Sequence, residues 1–165
     1  MIAFPWSART WTDDVTAADL DEMADVHAEA FSRTWSADDF AALLTGEGVF
    51  AIALRRRSPF GARSLVGFVL VRAAADEAEI LTIAVRGGAR RRGHGRRLMD
   101  EALRRLYRDR VAACFLEVDR GNAAAVSLYR ALGFAVVAER PRYYAAPPSG
   151  GAGAGAALVM RLQLR

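Results

Sequence analysis

Arg90-Arg91-Arg92-Gly93-His94-Gly95-Arg96 joins the apolar run Ile80 to Val85 to an amphipathic segment around Leu98. Glycines at 93 and 95 permit a tight turn, and a turn that opens a helix offers several amide N–H groups at the helix's positive end. Six arginines between Arg86 and Arg97 add forked, charged donors. The segment suits a phosphate or pyrophosphate; it equally suits a tight connection beside a solvated arginine face. Further along, Glu117 stands among Phe115, Leu116 and Val118. A carboxylate partly desolvated on such a strand moves toward the range of a general base, and one held by a neighbouring arginine carries the same sequence pattern. Tyr129 follows Asn122 by seven residues, about two helical turns, so both lie on nearly the same helix face and could approach one extended ligand. Cys114, at the start of an apolar strand with no positioned histidine, reads as a small buried residue, not a nucleophile.

These residues need elements to hold them. A short strand is expected around Arg9 to Thr12. Thr16 and Asp19 form a helix-start box ahead of Leu20, Met23, Ala24, His27, Ala30 and Phe31, which recur at helical spacing and put His27 on an apolar face as a packed residue. Ser36 and Asp39 start a second helix carrying Phe40, Leu43 and Leu44, which Gly46-Glu47-Gly48 ends. Val49 to Arg55, Leu65 to Arg72 and Glu79 to Val85 read as strands, the last two as an antiparallel hairpin. A helix from about Gly93 to Arg108 should bury Leu98, Met99, Ala102, Leu103 and Leu106. Ala112 to Asp119 is a strand, and Asn122 caps a helix stopped by Gly133. Phe134 to Ala138 and Ala157 to Leu164 supply the final strands. Residues 145–157, rich in Gly, Ala and Pro, form a flexible loop inside the domain. The order predicts one domain over 1–165, of α/β (α+β) class with antiparallel strands first and a strand–helix–strand crossover in its centre.

A chain of 165 residues that is 53% apolar is long enough for one packed core and too apolar for disorder. Its net charge of +4, with arginine as the sole basic side chain besides two histidines, favours anionic partners. A single cysteine excludes an intrachain disulfide and a cysteine-based zinc site, and points to a reducing, cytoplasmic setting. No run reaches the length of a membrane span, and the first residues lack the basic and apolar regions of a secretion signal. The third glycine of a dinucleotide fingerprint and the Gly-Lys-Ser/Thr of a P-loop are both missing.

From Ile80 to Phe134 the residues resemble the GNAT family of acyl-CoA-dependent N-acyltransferases, most closely the bacterial ribosomal-protein-alanine N-acetyltransferases of the RimI type. The Arg/Gln-x-x-Gly-x-Gly/Ala motif is met by Arg90, Gly93 and Gly95 after Ile83-Ala84-Val85. The block from Leu116 to Phe134, with its Asn122-Ala123-Ala124-Ala125 entry and Tyr129 ahead of Gly133-Phe134, follows the subfamily pattern. Weaker echoes fall around Trp35-Ser36 and at Arg142-Tyr143-Tyr144.

The resemblance implies a mixed, mostly antiparallel sheet of six to seven strands flanked by about four helices. It implies acetyl-CoA as cosubstrate and no metal. Ile83, Ala84, Val85, Arg90, Arg91, Arg92, Gly93, His94, Gly95, Arg96, Asn122 and Tyr129 would contact acetyl-CoA. The strand before the loop would splay from its neighbour, leaving the backbone of Ile83 and Val85 to pair with the pantetheine arm. Glu117 would be the base and Tyr129 the acid, with Glu79 a second candidate base or an anchor for the substrate amine. Trp35, Tyr143 and Tyr144 would line the acceptor entrance. The acceptor so implied is a protein or peptide N-terminus, the terminal alanine of a small-subunit ribosomal protein; a small-molecule amine or a lysine side chain is the alternative. A non-enzymatic nucleic-acid-binding domain using the arginine cluster is the remote alternative; no specific nucleic acid is expected, because the 86–97 cluster has no interleaved aromatics.

Overall fold

Two short polar boxes set where the first helices begin. In the computed structural model, which describes residues 9–141 and 155–165, the Thr16 amide donates to Asp19 Oδ2 at 2.7 Å and heads a single 3-10 turn, Ala17–Asp19, that runs into helix α1, Leu20–Ala30. The Ser36 amide donates to Asp39 Oδ2 at 2.8 Å, and the Asp39 amide returns to Ser36 Oγ at 3.1 Å, opening α2, Ala37–Leu44. Each box satisfies amides that the first turn leaves without an intrahelical acceptor.

Strand β1 is Thr10–Asp14, and the three strands after α2 are β2, Val49–Arg57, β3, Arg63–Ala74, and β4, Glu77–Val85. Helix α3, His94–Arg108, follows a 3-10 turn at Gly87–Ala89 and leads to β5, Ala113–Asp119. Then come α4, Ala123–Ala131, β6, Ala135–Arg140, and β7, Ala157–Gln163. Strands β2 and β3 run two residues further at their hairpin than expected, because Arg56 pairs with Ser64 and Arg57 with Arg63.

The residues gather into two compact units, Met1–Arg72 with Leu81–Arg105 and Ala73–Ile80 with Leu106–Arg165. In the first, β1 pairs antiparallel with β2 and β2 with β3, and β3 neighbours β4. Its core is Met23, Val26, Phe40, Ala51, Ala53, Leu65, Phe68, Leu70 and Ala84, contributed by α1, α2 and the three central strands. In the second, the early residues of β4 pair parallel with β5, β5 pairs antiparallel with β7, and β7 with β6. Among the described residues the sheet has seven strands, mixed and mostly antiparallel, accompanied by four helices.

Phe31 departs from its expected place on a buried helix face. Its backbone is extended just past the end of α1, its side chain is 41% exposed, and it stacks on His27 at 4.5 Å. His27 itself is buried, as its apolar face requires, and burial holds its pKa below the usual histidine value.

Candidate active site

The parallel ladder between β4 and β5 covers Glu77↔Ala113 to Ile80↔Leu116 and stops there, although β4 continues to Val85 and β5 to Asp119. Within the first unit, β3 lies tight against the far half of β4. A Cβ at Gly67 would sit 2.6 Å from the Ala84 carbonyl oxygen, and the Arg86 amide donates to the Val66 carbonyl at 2.8 Å. The chain then makes the Gly87–Ala89 turn, passes Arg91 at φ 60° and Gly93 at φ 79°, and enters α3. Arg97 N–H to Gly93 C=O, 3.0 Å, is the bond that closes the first turn. The amides ahead of it in that turn have no carbonyl one turn back, so they are donors awaiting an acceptor.

The arginines of this loop divide by partner. Arg90 spends Nε on the Val85 carbonyl at 3.1 Å and Nη2 on the Glu29 carbonyl at 3.0 Å, which makes it a brace of the loop. Arg97 holds Thr10 through Oγ1 at 2.7 Å, and Arg96 lies 3.8 Å from Asp100. Arg91 and Arg92 are exposed, with no hydrogen bond or ion pair among the described residues. Burial, and then the charges of Arg97, Arg92 and Arg56, hold the His94 pKa below the usual value.

Two glutamates of α1, absent from the expected site, fix the loop in place. Glu29 Oε2 accepts the Gly87 amide at 2.8 Å, and its other oxygen lies 3.4 Å from Arg86 Nη1. Glu22 Oε2 accepts the Leu65 amide at 2.9 Å and pairs with Arg86 Nη2 at 3.3 Å. Arg86 also donates from Nε to the Leu65 carbonyl at 2.6 Å. The seven-residue spacing of Glu22 and Glu29 marks one helix face; a partner some sixty residues away leaves no local signal.

In the second unit, Glu117 sits on β5 opposite Val159 of β7, with Leu116 and Val118 buried on the other face. Strand alternation therefore turns Glu117 outward. Its side chain is 40% exposed and lies 3.9 Å from Arg140, so it is not enclosed by the apolar residues that flank it in sequence. Glu79 is half-buried on β4 opposite Phe115.

Asn122 caps α4, its Oδ1 accepting the Ala125 amide at 3.2 Å. That leaves the side-chain NH2 as a donor. Tyr129 is 6% exposed, packs edge-on against Phe134 at 6.0 Å, and has its pKa pushed up to about 12 by desolvation. Among the described residues no hydrogen bond reaches its hydroxyl. Cys114 is fully buried, and desolvation followed by the Glu79 charge pushes its thiol up to about 12, which suppresses the thiolate that nucleophilic chemistry needs.

Trp35 packs into the first unit: its ring lies 4.9 Å from His27 and 5.5 Å from Phe40, and its amide donates to His27 Nδ1 at 3.4 Å. Tyr143 and Tyr144 lie outside the described residues, as do most of residues 145–157. Among the described residues no cluster of three His, Cys, Asp or Glu could hold a metal, and no helix is long and apolar enough to cross a membrane.

A loop of glycines and arginines opening α3, after a strand that outruns its ladder, is the arrangement that the 80–134 sequence pattern implied. A model of the acetyltransferase (GNAT) family matches residues 16–134. The chain belongs to the GNAT family. It is thus an acetyltransferase, and known relatives share most of its length. The [ribosomal protein bS18]-alanine N-acetyltransferase of Escherichia coli K12 is 33% identical over 126 residues, 76% of this chain and 81% of that protein. Its counterpart in Haemophilus influenzae is 26% identical over 136 residues, 82% of this chain and 88% of that protein. The crystal structure of the ribosomal-protein-S18-alanine N-acetyltransferase from Escherichia coli superposes with a TM-score of 0.80 at 29% identity, covering 94% of each chain. Arabidopsis thaliana NAA60, solved in complex with acetyl-CoA, shares the fold with a TM-score of 0.76 at 18% identity, over 94% of this chain and 98% of that one.

Proposed function

We propose that this GNAT enzyme transfers the acetyl group of acetyl-CoA to the N-terminal α-amine of a protein, the terminal alanine of a small-subunit ribosomal protein, with residues 1–165 working as one domain in the cytoplasm. The observation that carries the reading is the run of β4 beyond its last rung at Ile80 into the open amides that begin α3. Backbone groups of Ile83 and Val85 suit an extended amide-bearing arm. The amides around Gly93 to Arg96, with Arg91 and Arg92, suit a pyrophosphate. The named activity of relatives one-third identical supports the α-amine as acceptor.

In this reading the thioester supplies an electrophilic acyl carbon, and the chain's residues handle protons and charge. Glu117 takes the proton of the attacking amine, directly or through water, which its exposed position admits. A backbone amide near Val85 stabilises charge on the carbonyl oxygen. Tyr129 is the acid at the departing sulfur: a phenol pushed up to about 12 keeps its proton at neutral pH and, being a weaker acid than a thiol of pKa about 8.5, lends that proton as a hydrogen bond while charge builds on sulfur, with solvent completing the protonation. An α-amine with a pKa of about 8 is partly neutral at physiological pH and a lysine at about 10.4 hardly so, which favours a terminus for one modest base.

Glu117→Gln and Tyr129→Phe test these roles with an alanine-initiated peptide and saturating acetyl-CoA. The expected result is a kcat lower by about 10²-fold or more for Glu117→Gln, within the range of general acid–base effects. Near-wild-type turnover in both variants would remove the assignment.

A further inference from the structure

The tip of the β2–β3 hairpin carries a feature that acetyl transfer does not use. Ser58 to Ala62 forms an ordered turn: the Ser58 amide donates to the Ala62 carbonyl at 2.8 Å, the Gly61 amide to the Ser58 carbonyl at 3.0 Å, and the Ala62 amide to Ser58 Oγ at 3.1 Å. On that turn Phe60 is 98% exposed. Below it Arg57 and Arg63 sit directly opposite one another on paired strands, and neither has a carboxylate partner among the described residues. Like charges on facing rungs repel and cost stability. Arg55, two residues back on the same strand, is neutralised by Asp13 and Asp19, each at 2.5 Å. Among the described residues, the guanidiniums of Arg57 and Arg63 instead face the Trp11 ring, each guanidinium carbon lying 5.8 Å from its centroid.

Two uncompensated guanidiniums held near one indole, beside an aromatic ring standing in water, fit a polyanion with planar groups. We propose that Phe60, Arg57, Arg63 and Trp11 form a docking surface for single-stranded RNA. The guanidiniums bind backbone phosphates bidentately, which relieves their mutual repulsion, and Phe60 stacks an unpaired base. A lone aromatic side chain offers too little apolar area to anchor a membrane, and an acidic peptide would leave the Phe60 face unused. Arg56 is the residue of this strand whose charge reaches His94 in the cofactor loop, and strand alternation turns Arg57 to the other face; the inference does not depend on the acceptor being ribosomal.

The test is fluorescence anisotropy of a labelled oligouridylate with the full chain over a salt series. Acidic peptide and phosphatidylserine vesicles serve as alternative ligands. Saturable binding of the RNA is expected, weakened about tenfold by Phe60→Ala, within the measured range for loss of one base stack. Arg57→Ser combined with Arg63→Ser should flatten the salt dependence by about 1.4 in log–log slope, at about 0.7 per phosphate contact on a single strand. Saturating CoA should not displace the RNA. Acetylation of an alanine-initiated peptide should keep its kcat and its KM for acetyl-CoA in both variants, and neither melting temperature should fall below wild type, the double serine variant losing the repulsion between facing arginines. The proposal is overturned by absence of RNA binding, by equal binding in the variants, by displacement with CoA, or by binding of the acidic peptide or the vesicles in place of RNA.

Discussion

Glu29 has no hydrogen bond to Arg91 or Arg92, yet the geometry gives it leverage over acetyl-CoA. Its carboxylate holds the Gly87 amide at 2.8 Å and lies 3.4 Å from Arg86, and its carbonyl receives Arg90. Removing the carboxylate by Glu29→Ala deletes one charge-assisted hydrogen bond, worth about 1.5–3 kcal/mol when shielded. At a site where the carboxylate is 43% exposed, about 1–2 kcal/mol is the reasonable share. The Arg86 pair adds only a few tenths, because both partners face water. A loop that must be re-ordered on binding loses that free energy from cofactor affinity, since about 1.4 kcal/mol is tenfold. The KM for acetyl-CoA should rise about 5- to 30-fold with kcat changed less than about twofold. Glu29→Gln keeps an oxygen for the Gly87 amide and gives up only the charge, so it should recover most of the affinity. Steady-state kinetics with acetyl-CoA varied, alongside calorimetric Kd values for CoA, measures both. Unchanged KM in Glu29→Ala, or a loss of kcat alone, would refute the brace.

Gly67→Ala forces a Cβ to within 2.6 Å of the Ala84 carbonyl, and backbone cannot step aside as a side-chain tip can. Overpacking of this kind costs about 1–3 kcal/mol, so thermal denaturation should show a clearly lowered Tm and CoA binding should weaken with it. Tyr129 keeps its proton far into alkali, so the pH profile of kcat should show no Tyr129-dependent fall below about pH 10. The same raised pKa contributes stability that is complete below the unfolded value near 10 and is lost as pH rises toward 12; comparing Tyr129→Phe with wild type in alkaline melts isolates it. For His27 the sign is opposite. Its folded pKa lies below the unfolded value of about 6.5, so its contribution is intact above that pH and is lost as acid protonates the unfolded chain first. His27→Phe, which preserves the stack with Phe31 and Trp35, should lose less Tm than wild type between pH 7.5 and 5.5, about one unit either side of that value.

Local chemistry was legible in the chain. Thr16 with Asp19, Ser36 with Asp39, and Asn122 each reach an acceptor or donor within three residues, so a capping rule locates helix starts without knowledge of the fold. The strand–turn–helix from Ile80 to Leu98 was legible for the same reason. What depends on distant partners was not. Glu29 reads as an ordinary polar residue of α1 until Gly87, 58 positions on, is folded against it. Glu117 shows the limit of judging burial from neighbours in sequence: alternate residues of a strand face opposite ways, so Leu116 and Val118 are buried while Glu117 meets Arg140 and water. Strand β6 is exposed along its whole length and slips register between Val136 and Ala138, so no hydrophobic period marks where it ends at Arg140.

Acetyl transfer to a terminal amine with Glu117 as the base leaves its product on one nitrogen only. Mass spectrometry settles it most directly on a peptide that begins with a free alanine and contains an internal lysine, incubated with acetyl-CoA and either wild type or Glu117→Gln. The expected result is one acetyl group on the α-amine with wild type and strongly reduced product with the variant. Modification of the lysine alone, or of neither amine, would contradict it.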